Sequence, residues 1–160
     1  MSAMGIDAAE NQHIVENAFQ RAEQLRKERR LLEARDVLIE ALKYNVSSAQ
    51  VYFRLGNIYF DQKEYDRAEY AYRRAIDHDP QHINAHHNLS VVCKRQGKLA
   101  DSIKLYKLAN KIARQHPERV RLSSEQIVSL RRFALRFLLV GVGVIAGFVG
   151  LLFLLSWFTS

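Results

Sequence analysis

Between residues 14 and 116, apolar side chains recur three, four and seven positions apart, as in Leu55, Ile58 and Tyr59 or Ala68, Tyr72 and Ala75. That is the period of helices buried along one face. The pattern predicts six helices, over 14–28, 31–44, 49–61, 65–78, 83–95 and 99–113. Asn45 to Ser48, Asp79-Pro80 and Gln96-Gly97 supply turn chemistry between them. Pro80 and Pro117 each stop the helix before them. Residues 1–12 show no apolar period and are expected to form a loose tail. Beyond Pro117, Ser123-x-x-Gln126 reads as a capping box, with Ile127, Leu130 and Ala134 giving the next helix an apolar face. From Phe137 to Phe158 the chain carries no charge at all.

The six helices repeat in pairs. Ala49 to His82 contains Tyr52-x-x-Leu55-Gly56-x-x-Tyr59, then Ala68-x-x-x-Tyr72, Ala75 and Pro80. Moving back by 34 residues places Ala22, Leu25, Ala34, Leu38 and Ala41 at the matching positions of 15–48. Moving forward places Leu89, Ser90, Cys93, Ser102, Tyr106 and Ala109 at those of 83–116. This pattern resembles the tetratricopeptide repeat, with Tyr52 where a Trp is usual and Tyr72 where a Phe is usual. The resemblance implies an all-α solenoid of three helix-turn-helix repeats, 15–48, 49–82 and 83–116. The small residues, Ala22, Gly56 and Ser90 with Ala34, Ala68 and Ser102, would lie where paired helices approach closely. About three stacked pairs are needed to bury such a core.

The 22 uncharged residues 137–158 would span about 33 Å as a helix, enough for a hydrocarbon core of about 30 Å. A transmembrane helix is therefore expected there, as a C-terminal, single-pass, tail-type anchor. Residues 117–136 form a basic linker or capping helix before it. This segment either covers the last repeat or leads into the membrane.

Charge supports that topology. The chain carries a formal +7, but seven basic and two acidic residues lie between Lys111 and Arg136, a net +5, leaving only +2 for the first 110 residues. Arg131, Arg132 and Arg136 are placed to contact lipid headgroups and hold the repeats on the cytosolic side. A bacterial inner membrane is the first expectation and an organelle outer membrane the second. No separate basic stripe remains to follow phosphates, so nucleic acid is not an expected partner. Gly143, Gly147 and Gly150 form a small-residue stripe that would let the membrane helix pack against another, in a homo-oligomer or a larger membrane complex.

The resemblance further implies that the leading helix of each repeat lines a concave groove. The candidate partner-binding residues are Phe53, Arg54, Asn57, Phe60, His87, Asn88 and Lys94. The groove-facing set also takes in Phe19, Glu23, Arg26, Asp61 and Val91. Phe53 and Phe60, seven apart, either face a bound peptide or helix or pack against the next repeat. Some members of the family clamp the acidic tails of chaperones with lysines, asparagines and an arginine. The matching positions here are Phe19, Glu23, Arg54, Asn84 and Asn88; neither lysine is present and Glu23 would repel a carboxylate, which argues against that function.

Other chemistry is sparse. His78, His82, His86 and His87 cluster, but Pro80 separates the first, and no carboxylate or cysteine completes a metal set. The single Cys93 occupies an interior slot and reads as a buried thiol. No phosphate loop and no nucleophile with a placed base is present, so neither a cofactor nor catalysis is expected. The expected function is a membrane-anchored adaptor or scaffold that binds a protein partner in the groove. The alternative is a structural or assembly subunit of a membrane complex, joined through the glycine-bearing helix.

Overall fold

The computed structural model describes residues 3–117, and they are helical throughout apart from the turns. Six α-helices follow one another: α1 Ala3–Lys27, α2 Leu31–Ala41, α3 Ser48–Asp61, α4 Tyr65–His78, α5 Ile83–Arg95 and α6 Leu99–Gln115. They pack as three hairpins, α1 on α2, α3 on α4 and α5 on α6. Each hairpin also packs on the next, through α2 with α3 and α4 with α5. The linker 117–136 beyond Pro117 and the expected membrane helix 137–158, with Arg131, Arg132, Arg136, Gly143, Gly147 and Gly150, lie outside the described residues. Among the described residues, no helix is long and apolar enough to cross a membrane.

Two boundaries differ from the sequence expectation by three residues or more. α1 begins at Ala3, so residues 3–12 extend a helix instead of forming a loose tail. Ala3, Ala8, Ala9, Glu10 and Gln12 favour a helix, and lengthening an existing helix needs no new nucleus. α2 ends at Ala41, and Leu42–Tyr44 tighten into a 3-10 turn.

The turn inside each hairpin is the same device used three times. Arg29, Lys63 and Gly97, spaced 34 apart, all take left-handed backbone, with φ of 63°, 64° and 80°. The N–H after each reaches back across the turn: Arg30 to the Leu25 carbonyl, Glu64 to Tyr59 and Lys98 to Cys93, at 2.9, 2.9 and 2.8 Å. This pairing caps the last carbonyls of the leading helix and reverses the chain. Only the third copy uses glycine, the residue with least strain there.

Packing explains the small residues. A Cβ added at Gly56 would lie 2.5 Å from a ring carbon of Tyr72, so α3 and α4 meet at this spacing only with glycine at 56. Ala34 and Ala68 are fully buried, and Ala22 and Ser90 nearly so. The apolar interior forms two clusters. The first, Val15, Phe19, Leu25, Leu38, Val51, Leu55 and Ile58 with several alanines, welds the first hairpin to α3. The second, Ala68, Tyr72, Leu89, Val92 and Cys93, joins α4 to α5 and α6. Each large aliphatic side chain so buried contributes roughly 1.5–3 kcal/mol.

Candidate functional site

Asn57 of α3 is the hub of the inner surface. Its side-chain Oδ1 accepts a hydrogen bond from the Tyr72 hydroxyl at 2.7 Å and another from Asn88 Nδ2 at 2.9 Å. Asn88 Nδ2 also lies 3.4 Å from the Tyr72 oxygen. One amide oxygen thus ties α3, α4 and α5 together. Because that oxygen is held inward by two donors, the orientation of the amide is fixed, and its N–H groups remain for another acceptor. Burial raises the pKa of the Tyr72 phenol, which stays a neutral donor.

Around this hub lies a pocket of about 230 Å³, lined by Arg26, Asn57, Phe60, Asp61, Tyr72, Asn88 and Val91. All three hairpins contribute to it. Its floor is polar and its walls partly apolar, with the Phe60 ring braced by Tyr65 at 5.7 Å between centroids. One rim is a cross-repeat ion pair, Arg26 Nε to Asp61 Oδ2 at 2.6 Å, with Glu23 3.6 Å from the same guanidinium. Burial pulls the Arg26 pKa down, but the hydrogen bond to Asp61 and the charges of Asp61 and Glu23 outweigh it, leaving a net rise. Arg26 and Asp61 neutralise each other, so the pocket presents hydrogen-bonding groups rather than a net charge.

Of the residues expected in the groove, Asn57, Phe60 and Asn88 come together in this pocket. Arg54 lies beside it, its guanidinium carbon 4.6 Å over the Phe19 ring. Arg54 Nε is buried without a hydrogen-bond partner, and desolvation lowers its pKa against the pull of Glu23 and Glu16. Phe53 is half-buried, its ring 4.8 Å from His82 and 6.0 Å from Tyr72, so it packs in the junction with the following repeat. His87 is exposed near Tyr106, and Lys94 is exposed on α5; neither lines the pocket. Phe19, expected to face the groove, is only 5% exposed and belongs to the core, because Arg54 covers it.

Sequence reasoning placed Tyr72 among the interior fillers and missed it as a pocket residue. The signal was its hydroxyl: a tyrosine where phenylalanine is usual carries a donor that must find a buried acceptor. The histidines disperse as well. His82 caps α5, its Nδ1 accepting from the Ala85 N–H at 3.1 Å, and His86 Nε2 donates to the Pro80 carbonyl at 2.9 Å. Among the described residues, no group of three metal-ligating side chains forms. Cys93 is buried in the second cluster.

Comparison with known proteins agrees with this architecture. The family described as tetratricopeptide repeat matches residues 49–82 and again residues 83–116. No curated protein matches the chain. Among solved structures, the array is similar to the crystal structure of MamA, with a TM-score of 0.61 and 23% identity over 65% of this chain and 61% of that one. The chain therefore spans about three fifths of MamA. It is also similar to the second tetratricopeptide domain of Spaghetti (RPAP3) bound to the HSP90 peptide SRMEEVD, with a TM-score of 0.62 and 17% identity over 68% and 95% of the two chains. A third is the TPR2B domain of yeast Sti1 in its pHsp70 complex, with a TM-score of 0.63 and 14% identity over 66% and 85%. At these identities the likeness is one of fold. Residues 49–116 match the tetratricopeptide repeat in two successive copies, and the described part of the chain is an all-α array of six helices with the same fold as these solved structures.

Proposed function

We propose that the inner surface of α1, α3 and α5 binds a peptide or helix from a protein partner, and that residues 137–158 hold this surface at the cytosolic face of a membrane. The observation that carries the groove reading is the Asn57 amide, fixed by Tyr72 and Asn88 with its donors free beside an apolar wall. Such an amide suits a backbone carbonyl of the partner, while Phe60 and Val91 suit an apolar side chain next to it. Arg54 adds a half-buried cation without a carboxylate in salt-bridge range among the described residues. Two of the similar solved structures are domains bound to chaperone peptides. Here Glu23 beside Arg26 and the covered Phe19 occupy two of the clamp positions, which supports a partner other than an acidic chaperone tail. The membrane assignment rests on the 22 uncharged residues and the arginines before them, in a bacterial inner membrane or, second, an organelle outer membrane.

The variant Asn57→Asp tests the groove. An aspartate still accepts from Tyr72 and Asn88 but offers no donor. The full chain carrying it should keep its melting transition and lose partner recovery about tenfold, the scale of one desolvated hydrogen-bonding pair. Unchanged recovery of every partner would refute the reading. The glycine stripe at 143, 147 and 150 favours a second reading, a subunit joined through its membrane helix. Deleting 137–160 separates the two: a groove-binding adaptor keeps its partner in solution, and a membrane-helix subunit loses its complex.

A further inference from the structure

One repeat position meets three environments. Leu38, Tyr72 and Tyr106 are spaced 34 apart, and their exposures are 0%, 1% and 50%. The next repeat covers the first two: Leu38 clusters with Leu55 and Ile58, and Tyr72 with Leu89 and Val92. Tyr106 is left half exposed, with the His87 ring 6.0 Å away. Leu99 and Ile103, 60% and 57% exposed, lie on the same stripe of α6. Arg35 and Glu69 occupy the position of Ile103 in the earlier repeats, so the last repeat is most apolar where it is least covered.

The opposite end of the array carries polar residues on its leading helix. Asn17 and Arg21 are exposed there, at positions where Val51 and Leu55, then Ala85 and Leu89, are buried. The α6 stripe has no such polar replacement. It has a border instead: Lys107, Lys111 and Arg114, all exposed, run along its solvent side, with Lys104 behind them and Asp101 on the far side of the helix. A second copy of this chain would bring the same cations against these. Residues 118–136, with five arginines and two glutamates, are of the same sign. An acidic partner is the one that this border attracts.

We propose that the Leu99–Ile103–Tyr106 stripe docks an amphipathic helix of another protein, one that carries two apolar residues three apart with carboxylates beside them. The spacing follows from the internal junctions, where Leu55 with Ile58 and Leu89 with Val92 seat against the preceding repeat. The docked helix would continue the array as a further leading helix. This surface is separate from the inner pocket, so the protein would hold two partner segments at once.

The test is photocrosslinking of the full chain in its own cells, with p-benzoylphenylalanine in place of Tyr106, followed by sequencing of the crosslinked peptide. The expected product is a peptide of another protein with the stated apolar spacing and net negative charge. K107E/K111E should lower its yield about tenfold, as reversal of a steering border does, while a photocrosslinker in place of Phe60 gives an unchanged yield. Both lysines are exposed, so the variant should melt as the parent does. A crosslink to residues 118–136 of the same chain, to α6 of a second copy, or to a peptide without acidic flanks would overturn the proposal. So would no crosslink, or a yield indifferent to the charge reversal. In a direct assay, a synthetic helix with leucines three apart bordered by glutamates should bind, and its lysine-bordered twin should not; equal binding of the two would also overturn it.

Discussion

At the first junction between repeats, Leu38 of α2 is sealed among Leu55, Ile58 and Ala22. At the second, 34 residues on, Tyr72 of α4 fills the same place and its hydroxyl reaches Asn57, beside Asn88. The larger ring is accommodated by Gly56, where the first repeat has Ala22. Its hydroxyl needs a buried acceptor, and Asn57 supplies it; that same amide then projects its donors into the groove. The polarity of the inner pocket is thus set in part by one aromatic hydroxyl in the junction behind it. A Leu at 72 would bury well but leave Asn57 oriented by Asn88 alone. Each junction also has one ion pair across it: Arg26 to Asp61 on the groove side of the first, and Lys98 to Glu69 at 2.7 Å in the second.

Truncation at the first junction has the largest expected effect. Leu38→Ala removes a fully buried side chain and should cost about 2–5 kcal/mol in urea unfolding. Tyr72→Phe keeps the ring and loses only the hydroxyl, so its cost should be about 1 kcal/mol. Equal costs would mean that the second junction depends on its polar network as heavily as the first does on its apolar seal.

Exchanging the two packing solutions comes next. Gly56→Ala alone forces a methyl group against the Tyr72 ring and should destabilise by about 1–3 kcal/mol. Adding Tyr72→Leu rebuilds the Ala22–Leu38 combination at the second junction. The double variant should therefore be more stable than the sum of the two single changes implies, a coupling read directly from a double-mutant cycle. Strict additivity would show that the ring and the glycine are not the matched pair described above.

The smallest effect concerns acid. Glu69 is held at a pKa of about 2, chiefly by the hydrogen bond from Lys98, with Arg73 and Gln96 contributing, against an ordinary 4.5. A carboxylate depressed in the folded state contributes stability above its unfolded pKa and loses it as pH falls through its folded one. The second junction should therefore weaken between about pH 4.5 and 2. Urea midpoints of the parent and Glu69→Gln should differ at pH 6 and converge toward pH 2. A gap that stays constant across that window would remove Glu69 from the account.

Much of this architecture was legible in the chain. The bounds of α3, α4 and α5 fall within one residue of the periodic stretches, because apolar spacing and Pro80 act locally. The start of α1 was not legible: residues 3–12 have helix propensity but no apolar stripe to mark them. The groove was legible as a face and only partly as a site. Asn57, Phe60 and Asn88 were named from the sequence, yet Phe19 proved buried and Phe53 turned into the junction. Which side of a groove helix reaches solvent depends on what the neighbouring repeat lays over it, and that is not a property of the helix itself.

From the chain alone came the repeat length, the turns at Asn45 to Ser48, Asp79-Pro80 and Gln96-Gly97, and the small residues at 22, 34, 56, 68 and 90; the left-handed turns at Arg29 and Lys63 appeared only in the fold. The former depend on spacing and on residue size, which a linear pattern records. Stacking of the repeats is what makes Tyr72 and Asn57 orient a donor into the pocket, lays Arg54 over Phe19, and leaves an apolar stripe on α6 at the end of the described array. The first two depend on contacts between residues 15 and 35 positions apart, whose geometry exists only once the repeats are stacked.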